Sequence, residues 1–481
     1  MELLLSLSSS DRRPKCQKIY GQIRDAALSG RLRPGQRLPS TRELATRHEI
    51  SRNTVVFAYE RLLSEGYLEA KSGSGTYVTS LFLTPVGGKY GTKIRPVEPI
   101  ALAESVRNLE KWVFTPPFSG LPYDFRPGMP TLEHFPLATW RQIVARHFTR
   151  LAPELARYDA PAGYRPLREA IASYVQRSRA VKCEPDQIVV TTGSQQAVDL
   201  LARLLIIPGQ SVVVENPCYP AAAAAFRAAS ANLCPVPVDD QGIQTADLPR
   251  DIRLLYITPS HQYPTGVFLP LPRRLQLLRW ARDQGTVIVE DDYDCEFRYG
   301  SRPVESLQGL DQSGLVVYIG TFSKVLFPGL RLGYVVLPAS LIKPFLALKW
   351  IADRHTSGVG QRLMADFLLQ DHFEWYMKRL QKVYEQRRES VLESLDQYAK
   401  DHIRVIPSVA GLHLAGWMKR KVDLTRLKNL AAESGVGIYP LTPYFLEKPR
   451  PGLIFGYAAL SPEDIRRGIR RLGNILDTLN S

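Results

Sequence analysis

The chain has 481 residues, 44% hydrophobic and 23% charged, so it is too long for one core and should fold as two or three globular domains. A formal net charge of +15 favours an anionic partner such as nucleic acid. Cys16, Cys183, Cys218, Cys234 and Cys295 are widely spaced, which excludes a disulfide framework and a zinc site and reads as reduced cytoplasmic thiols; no metal site is expected. No apolar run reaches the ~18 residues that span a bilayer, and Met1 to Leu7 lacks the basic segment of a secretory signal, so no membrane partner is expected.

Residues 12–80 form a unit with its own pattern. Ile19, Ile23, Ala26, Ala27 and Leu28 recur at helical spacing until Gly30 and Pro34-Gly35 stop the helix. Ser40 with Glu43 forms a capping box for a short helix that breaks around His48-Glu49-Ile50, and Ser51 caps a third helix from Arg52 to Leu63, closed by Gly66. Tyr67 to Ala70, a turn at Ser72 to Gly75, and Thr76 to Thr79 read as a hairpin. Two short helices in tandem followed by a hairpin point to a winged helix-turn-helix. The plainer alternative is a three-helix interaction module with a solvated basic face.

The motifs Pro39-Ser40-Thr41-Arg42-Glu43-Leu44-Ala45, Ser51-Arg52-Asn53-Thr54-Val55 and Leu63-Ser64-Glu65-Gly66-Tyr67-Leu68 resemble the GntR-family DNA-binding domain over its full length. Arg52, Asn53 and Thr54 stand at the N-terminus of the third helix, the end that enters a major groove, where arginine reads guanine and asparagine adenine. Ser40, Thr41 and Arg42 are placed for phosphates, and Lys71 on the wing for the backbone or minor groove. A double-stranded DNA operator is the expected partner.

From 81 to 118 the prolines, glycines and charges of Thr84 to Lys89, Arg95 to Pro99 and Pro116-Pro117 read as a linker, with an amphipathic segment from Ala103 to Trp112 that can dock on the next domain. Residues 119–481 follow, with a smaller α+β part from about 400. Strand candidates at Ile188 to Thr191, Val212 to Val214, Leu254 to Ile257, Val287 to Glu290 and Leu315 to Ile319 alternate with helical stretches such as Leu271 to Arg282, which argues for a mainly parallel sheet covered on both faces. A helical region spans Ser340 to Tyr398, and strands at Leu412 to Leu414, Val436 to Tyr439 and Leu453 to Tyr457 precede a final helix.

Chemistry collects at the strand ends. Thr321-Phe322-Ser323-Lys324 follows a buried strand, where a lysine among apolar neighbours can lose its proton and condense with an aldehyde, while Arg331 can clamp a phosphate. An aldehyde bearing a phosphate points to pyridoxal 5'-phosphate (PLP). Asp291 and Tyr293 end another strand, where a carboxylate can pair with a pyridine nitrogen and a phenol with the ring oxygen. Gly193-Ser194-Gln195 opens a helix whose first N–H groups form an anion site, and Tyr219 can stack on a ring. Taken singly, each signal has a structural reading: a surface loop, a solvated turn, a steric glycine, a core tyrosine.

In this order, with Pro264-Thr265-Gly266, the landmarks resemble the fold-type I, class I/II aminotransferases from about residue 120 onward. The resemblance implies that Lys324 condenses with PLP, Asp291 pairs with the pyridine nitrogen, Tyr293 contacts the 3'-oxygen and Tyr219 stacks on the ring. It also implies that Ser194, Gln195, Thr321, Ser323 and Arg331 hold the phosphate. Where that family reads Asn-Pro-Thr-Gly, this chain has Tyr263-Pro264-Thr265-Gly266, so the asparagine's bond is absent or supplied by His261 or Gln262.

A winged helix, mainly α with a β wing, joined to such an α/β body is similar to the MocR/GabR group of GntR-type regulators, as are Thr258 to Gly266 and Glu290 to Phe297 as a whole. The resemblance implies a PLP-containing transcriptional regulator, a head-to-tail homodimer in the cytoplasm, with a small-molecule effector. The rival is an aminotransferase of weak turnover carrying a DNA-binding module. Against it, Ala459 and Ala221 stand where related proteins carry carboxylate-binding arginines, which leaves Arg126, Arg165 and Arg354 as possible replacements and PLP itself as the preferred effector.

Overall fold

The computed structural model describes Leu5 and residues 13–80, 101–107, 109–112, 119–148, 157–300 and 305–480. The expectations at Met1 to Leu7 (apart from Leu5), Thr84 to Lys89, Arg95 to Pro99 and Pro116-Pro117 lie outside the described residues. The chain divides into two compact units, Met1–Ala101 and Leu102–Ser481.

In the first unit, helices α1 (Lys15–Leu28), α2 (Thr41–Arg47) and α3 (Arg52–Ser64) precede a hairpin of β1 (Leu68–Lys71) and β2 (Gly75–Val78). Ile19, Ile23, Leu44, Val55, Ala58 and Leu62 close one core, which Leu68 and Val78 of the hairpin join. The capping box at α2 is complete: Ser40 accepts the Glu43 N–H, and Glu43 accepts the Ser40 N–H at 2.7 Å. Ser51 holds the N-cap position of α3, but its side chain makes no capping hydrogen bond, so the sequence expectation of a side-chain cap is corrected. That helix is held by its buried face instead.

The second unit begins with β3 (Tyr123–Asp124), α4 (Leu137–Phe148), α5 (Arg165–Arg179), β4 (Ile188–Thr191) and α6 (Ser194–Leu205). It continues through β5 (Ser211–Asn216), α7 (Pro220–Ala228), β6 (Asn232–Asp239), β7 (Gly242–Ile243), β8 (Ile252–Ile257), α8 (Leu271–Gln284) and β9 (Val287–Asp292). Then come α9 (Leu307–Leu310), β10 (Val316–Thr321), β11 (Gly333–Val336), α10 (Ala339–Asp353), α11 (Gly358–Leu369) and α12 (His372–Tyr398). The C-terminal part holds β12 (Ile403–Val405), β13 (His413–Met418), α13 (Leu424–Glu433), β14 (Val436–Gly437), β15 (Tyr439–Pro440), β16 (Gly452–Gly456) and α14 (Pro462–Asn480).

Among the described residues the large sheet runs β4-β11-β10-β9-β8-β5-β6-β7. The strands from β10 through β9, β8 and β5 to β6 are parallel, as expected, whereas β11 is antiparallel to both β10 and β4. The sheet is therefore mixed, because β11 follows β10 without the crossover helix that a parallel neighbour requires. Both faces are covered, and alternation along each strand assigns the sides. Val212, Val214, Leu254 and Val289 pack with Leu201 of α6 and Phe226 of α7, while Val213, Leu255 and Ile288 pack with Leu277 and Ala281 of α8.

The helical stretch from 340 to 398 is three helices, broken at Arg354 and Asp371, which take left-handed φ values of 63° and 58°. A second sheet, β12-β13-β16-β15, lies in the C-terminal part, and β3 pairs with β14 in a separate two-stranded sheet. A strand of two residues carries no periodicity, so that link was not legible. The amphipathic segment ends at Trp112, whose ring lies 4.0 Å under the Arg227 guanidinium of α7. Among the described residues, no helix is long and apolar enough to cross a membrane.

Below the sheet's C-terminal edge, Arg179 of α5 donates to Asp292 at 2.7 Å and to Ser260 at 2.6 Å, and Tyr318 donates to Asp292 at 2.8 Å. Burial alone would push the Asp292 carboxyl up, but Arg179, Ser260 and Tyr318 outweigh it and hold the group below its ordinary value. A carboxyl depressed in this way contributes stability above its unfolded pKa and loses it as pH falls through the folded one. Replacing Arg179 by Met strands a buried charge and is expected to cost about 3–5 kcal/mol at pH 7. In denaturant unfolding of the larger unit that deficit should shrink toward pH 4, as the unpaired carboxyl takes up a proton.

Candidate functional site

The C-terminal ends of β4, β8, β9 and β10 open on a cavity of about 180 Å³. That edge is where open α/β sheets bind ligands, because side chains from several strands converge there around the N-terminus of a helix. Ser194, Gln195, Tyr219, Asp291, Tyr293, Thr321, Ser323, Lys324 and Arg331 all line it, so every expected cofactor residue is brought to one place. They come from five separate stretches of chain.

Lys324 follows the end of β10 and donates to the Gly128 carbonyl at 3.0 Å. Gly128 has φ +74°, and a Cβ there would fall 2.7 Å from the amine, so only glycine lets this loop approach so closely. Burial holds the Lys324 amine below the usual lysine range, while Asp294 and Asp291 pull the other way. The result is an amine nearer its neutral, nucleophilic form.

Asp291, the last residue but one of β9, stands between two acids with different tasks. Glu290 accepts the N–H groups of Leu307 and Gln308 at 2.9 Å, Asp292 faces Arg179, and Asp291, one residue out of phase, turns to the opposite face. There its Oδ2 accepts from Tyr256 at 2.6 Å, and its Oδ1 is buried with no hydrogen-bond partner among the described residues. Burial pushes its carboxyl up to about 7, with Tyr256 and Lys324 opposing and Asp292 and Asp294 adding to the rise. An orphaned carboxylate oxygen in a cavity fits a cationic ring N–H.

The opposite wall fits an anion. Gly193, with φ +80°, turns the chain from β4 into α6, and a Cβ on it would lie 3.3 Å from the Arg331 guanidinium. Arg331 donates to the Thr192 carbonyl at 2.9 Å, and the Thr192 N–H donates to Gln196 at 2.8 Å. Gln196 in turn donates to Asp353, which Lys349 neutralises, both at 2.7 Å. Ser194 and Gln195, in the first turn of α6, line the cavity with Thr321 and Ser323, and the Thr321 hydroxyl donates to the Leu332 carbonyl at 3.3 Å.

The missing asparagine has a partial answer. Gln262 is spent locally, donating to Pro217 O at 2.8 Å and Tyr263 O at 2.7 Å and accepting from Thr265 N at 3.1 Å. His261 instead lies 2.9 Å from the Tyr293 hydroxyl through its Nδ1, and Tyr263 itself lines the cavity edge-on to Tyr219 at 5.6 Å. Sequence reasoning missed Tyr256, Gly128, Asp294 and His413 as cavity residues. His413 is a lone polar group in an apolar strand and Tyr256 sits near a strand's C-terminal end, which are usable signals; Gly128 offers none.

In the first unit, Ser40, Arg42, Arg52, Asn53 and Lys71 are exposed, and Thr41 and Thr54 are half-buried. Arg52, Asn53 and Thr54 occupy the first turn of α3, whose buried residues are Val55, Ala58, Tyr59 and Leu62. Lys71 lies 3.6 Å from Glu69 and over the Tyr77 ring at 4.9 Å.

Asp291 carries a pH dependence. Between ~4, where the unfolded carboxyl ionises, and about 7, the folded cofactor-free protein keeps a proton that the unfolded chain has lost. Stability therefore falls as pH rises through that window. Asp291→Asn is expected to stabilise the cofactor-free larger unit at pH 8, by at most ~4 kcal/mol, and to have little effect at pH 4 in urea unfolding. Glu215, Glu290 and Glu296 are also pushed up to about 7, so the substitution removes one proton's share of the slope.

Two family profiles match the chain: bacterial regulatory proteins of the gntR family over residues 15–78, and aminotransferase class I and II over residues 128–472. The probable rhizopine catabolism regulatory protein MocR of Rhizobium meliloti is 35% identical over 97% of this chain and 95% of its own length. The pyridoxine biosynthesis transcriptional regulator PdxR of Corynebacterium glutamicum is 31% identical over 93% of each. Among solved structures, the α-aminoadipate aminotransferase LysN of Thermus thermophilus, in complex with N-(5'-phosphopyridoxyl)-L-leucine, superposes with a TM-score of 0.69 at 31% identity, covering 79% of this chain and 95% of that one. With a gntR helix-turn-helix unit preceding an aminotransferase class I and II unit, the chain belongs to the MocR-type regulators of the GntR family.

Proposed function

We propose that the protein is a PLP-dependent, DNA-binding transcriptional regulator whose larger unit senses a small molecule at the strand-end cavity. The observation that carries this is the convergence of Lys324, Asp291 and Arg331 on one cavity in a chain that also has a gntR unit. PLP, when bound, supplies an aldehyde that condenses with an amine and a ring that accepts electrons. Lys324 offers the amine, steered by the Gly128 carbonyl. Asp291 offers the carboxylate oxygen that otherwise lacks a partner, and Arg331 with the start of α6 offers the anion clamp. Tyr219 walls the space, and Tyr293 faces it with a hydroxyl that burial keeps protonated.

The effector reading rests on which cations surround the cavity. Among the described lining residues they are Lys324 and Arg331, with His413 held well below its usual range by burial and by His261. Arg165 is tied to Glu169 and Asp186 at 2.7 Å, Arg354 lies over Tyr158 and Trp350, and Arg126 is not among the lining residues. A desolvated α-carboxylate without a bidentate arginine forfeits about 2–5 kcal/mol. Ordinary amino acids should therefore bind poorly, and PLP itself is the preferred effector, in keeping with the pyridoxine-related name of the PdxR relative. The rival is an amino compound held by an arginine of a second subunit in a head-to-tail homodimer. As a regulator of operator DNA, the protein would act in the cytoplasm.

Purified protein loaded with PLP should absorb in the near-ultraviolet or visible, and Lys324→Ala should lose that band on dialysis. Wild-type protein that takes up no PLP would sink the cofactor reading. Affinity for upstream DNA should change when PLP alone is added to the cofactor-free protein; indifference to PLP combined with a response to an amino compound would favour the rival. Arg52→Ala should cost about 1–3 kcal/mol of operator binding and relax specificity at one base pair. Lys71→Ala should weaken binding to all sequences and flatten its salt dependence, as gel-shift titrations against specific and random duplexes would show.

A further inference from the structure

We infer that His261, backed by Asp294, is a positioning residue that turns the Tyr293 hydroxyl into the cavity as a hydrogen-bond donor. The inference rests on the cofactor reading above and adds to it the group that takes over from the absent asparagine. His261 Nδ1 lies 3.1 and 3.0 Å from the two Asp294 oxygens and 2.9 Å from the Tyr293 hydroxyl. Both Asp294 oxygens face Nδ1, the arrangement in which Nδ1 carries the hydrogen and donates it. The same N–H faces the Tyr293 oxygen, which therefore finds no acceptor on His261. The Tyr293 O–H must point elsewhere, and the open side is the cavity that Tyr293 lines.

The surroundings fix this arrangement. Neither Gly411 nor Gly266 leaves room for a Cβ beside the imidazole, and both have left-handed φ, 85° and 79°. The Tyr293 ring is held edge-on by Tyr263 at 5.7 Å, and the His413 ring lies 4.6 Å from that of His261. His261 Nε2 is buried with no hydrogen-bond partner among the described residues, so the ring's polar contacts are confined to Nδ1. His261, Asp294 and His413 also offer ligand atoms within 4.8 Å of one another, but the Asp294 to Nδ1 contact already pairs two of them. Gln262 is engaged with Pro217 and Thr265, and Tyr263 replaces the asparagine, which leaves the Tyr293 phenol as the donor aimed at a ring oxygen. The charged and titratable groups facing this network are Asp291, Asp294, Lys324, His413 and Tyr263.

A donor to the ring oxygen draws electron density from it and weakens its hold on the proton of the lysine-bound nitrogen. Losing that donor should raise the pH midpoint of the PLP absorbance band. In full-length, PLP-loaded protein, His261→Leu is expected to raise the midpoint by about one pH unit, a tenfold change in proton affinity, and Tyr293→Phe to raise it by a similar amount. His261→Asn, which puts an amide N–H near the place of Nδ1, should restore most of the wild-type midpoint. Adding His261→Leu to Tyr293→Phe should shift nothing further. An unchanged midpoint in His261→Leu, or a full shift in the Tyr293→Phe background, overturns the inference while leaving the cofactor reading intact. If His261→Leu fails to load PLP, His261→Phe, which refills the ring's space, is read the same way. Failure of both to load while Tyr293→Phe loads normally also overturns it. A wild type without any band overturns the cofactor reading and this inference with it.

Discussion

The site depends on a half-buried lysine amine held against a backbone carbonyl. Lys324 sits at the end of a fully buried strand and meets the Gly128 carbonyl rather than a carboxylate. A direct ion pair would keep the amine protonated, whereas a carbonyl accepts one hydrogen bond and leaves burial as the main influence. Asp291 and Asp294 stand near enough to moderate that effect. The balance yields an amine available for condensation and a carboxyl at Asp291 that awaits a cationic partner.

Three consecutive acids on β9 illustrate how one strand serves structure and site together. Glu290 ties down the start of α9, and Asp292 joins α5 to β10 through Arg179 and Tyr318. Asp291, pointing to the opposite face, is spared for the cavity and steadied by Tyr256. The scaffold residues satisfy their own charges, so the cavity residue need not. The phosphate side follows the same rule, since Lys349, Asp353 and Gln196 brace the turn that Arg331 and α6 present.

The two units supply different parts of a regulator. The gntR unit presents the first turn of α3 with Arg52 and Asn53 exposed, and its core is closed by residues of its own three helices and hairpin. The aminotransferase class I and II unit brings Lys324, Asp291 and Arg331 to one cavity. Neither Ala221 nor Ala459 brings it the cation that a substrate carboxylate needs.

By itself the sequence determined the two units and many of their elements, and it nominated the candidate cofactor residues, because these are written in local patterns. Buried parallel strands are continuous apolar runs, the capping box at Ser40 and Glu43 marks a helix start, and a reactive lysine directly follows its strand. Helical and strand periods located the elements of the first unit and many of the second, whereas α4, α5, α7, β6, β11 and α13 carried no expectation. Tertiary structure decided what depends on contacts between distant stretches. It set β11 antiparallel between β4 and β10, paired β3 with the distant β14, and brought Gly128 to Lys324 across nearly two hundred residues of chain. It also set different partners for His261 and Gln262, which no spacing distinguishes. Gln262 turned to the carbonyls of Pro217 and Tyr263, and His261 met Tyr293, because a side chain's hydrogen-bond partner is chosen by the packing of the whole site.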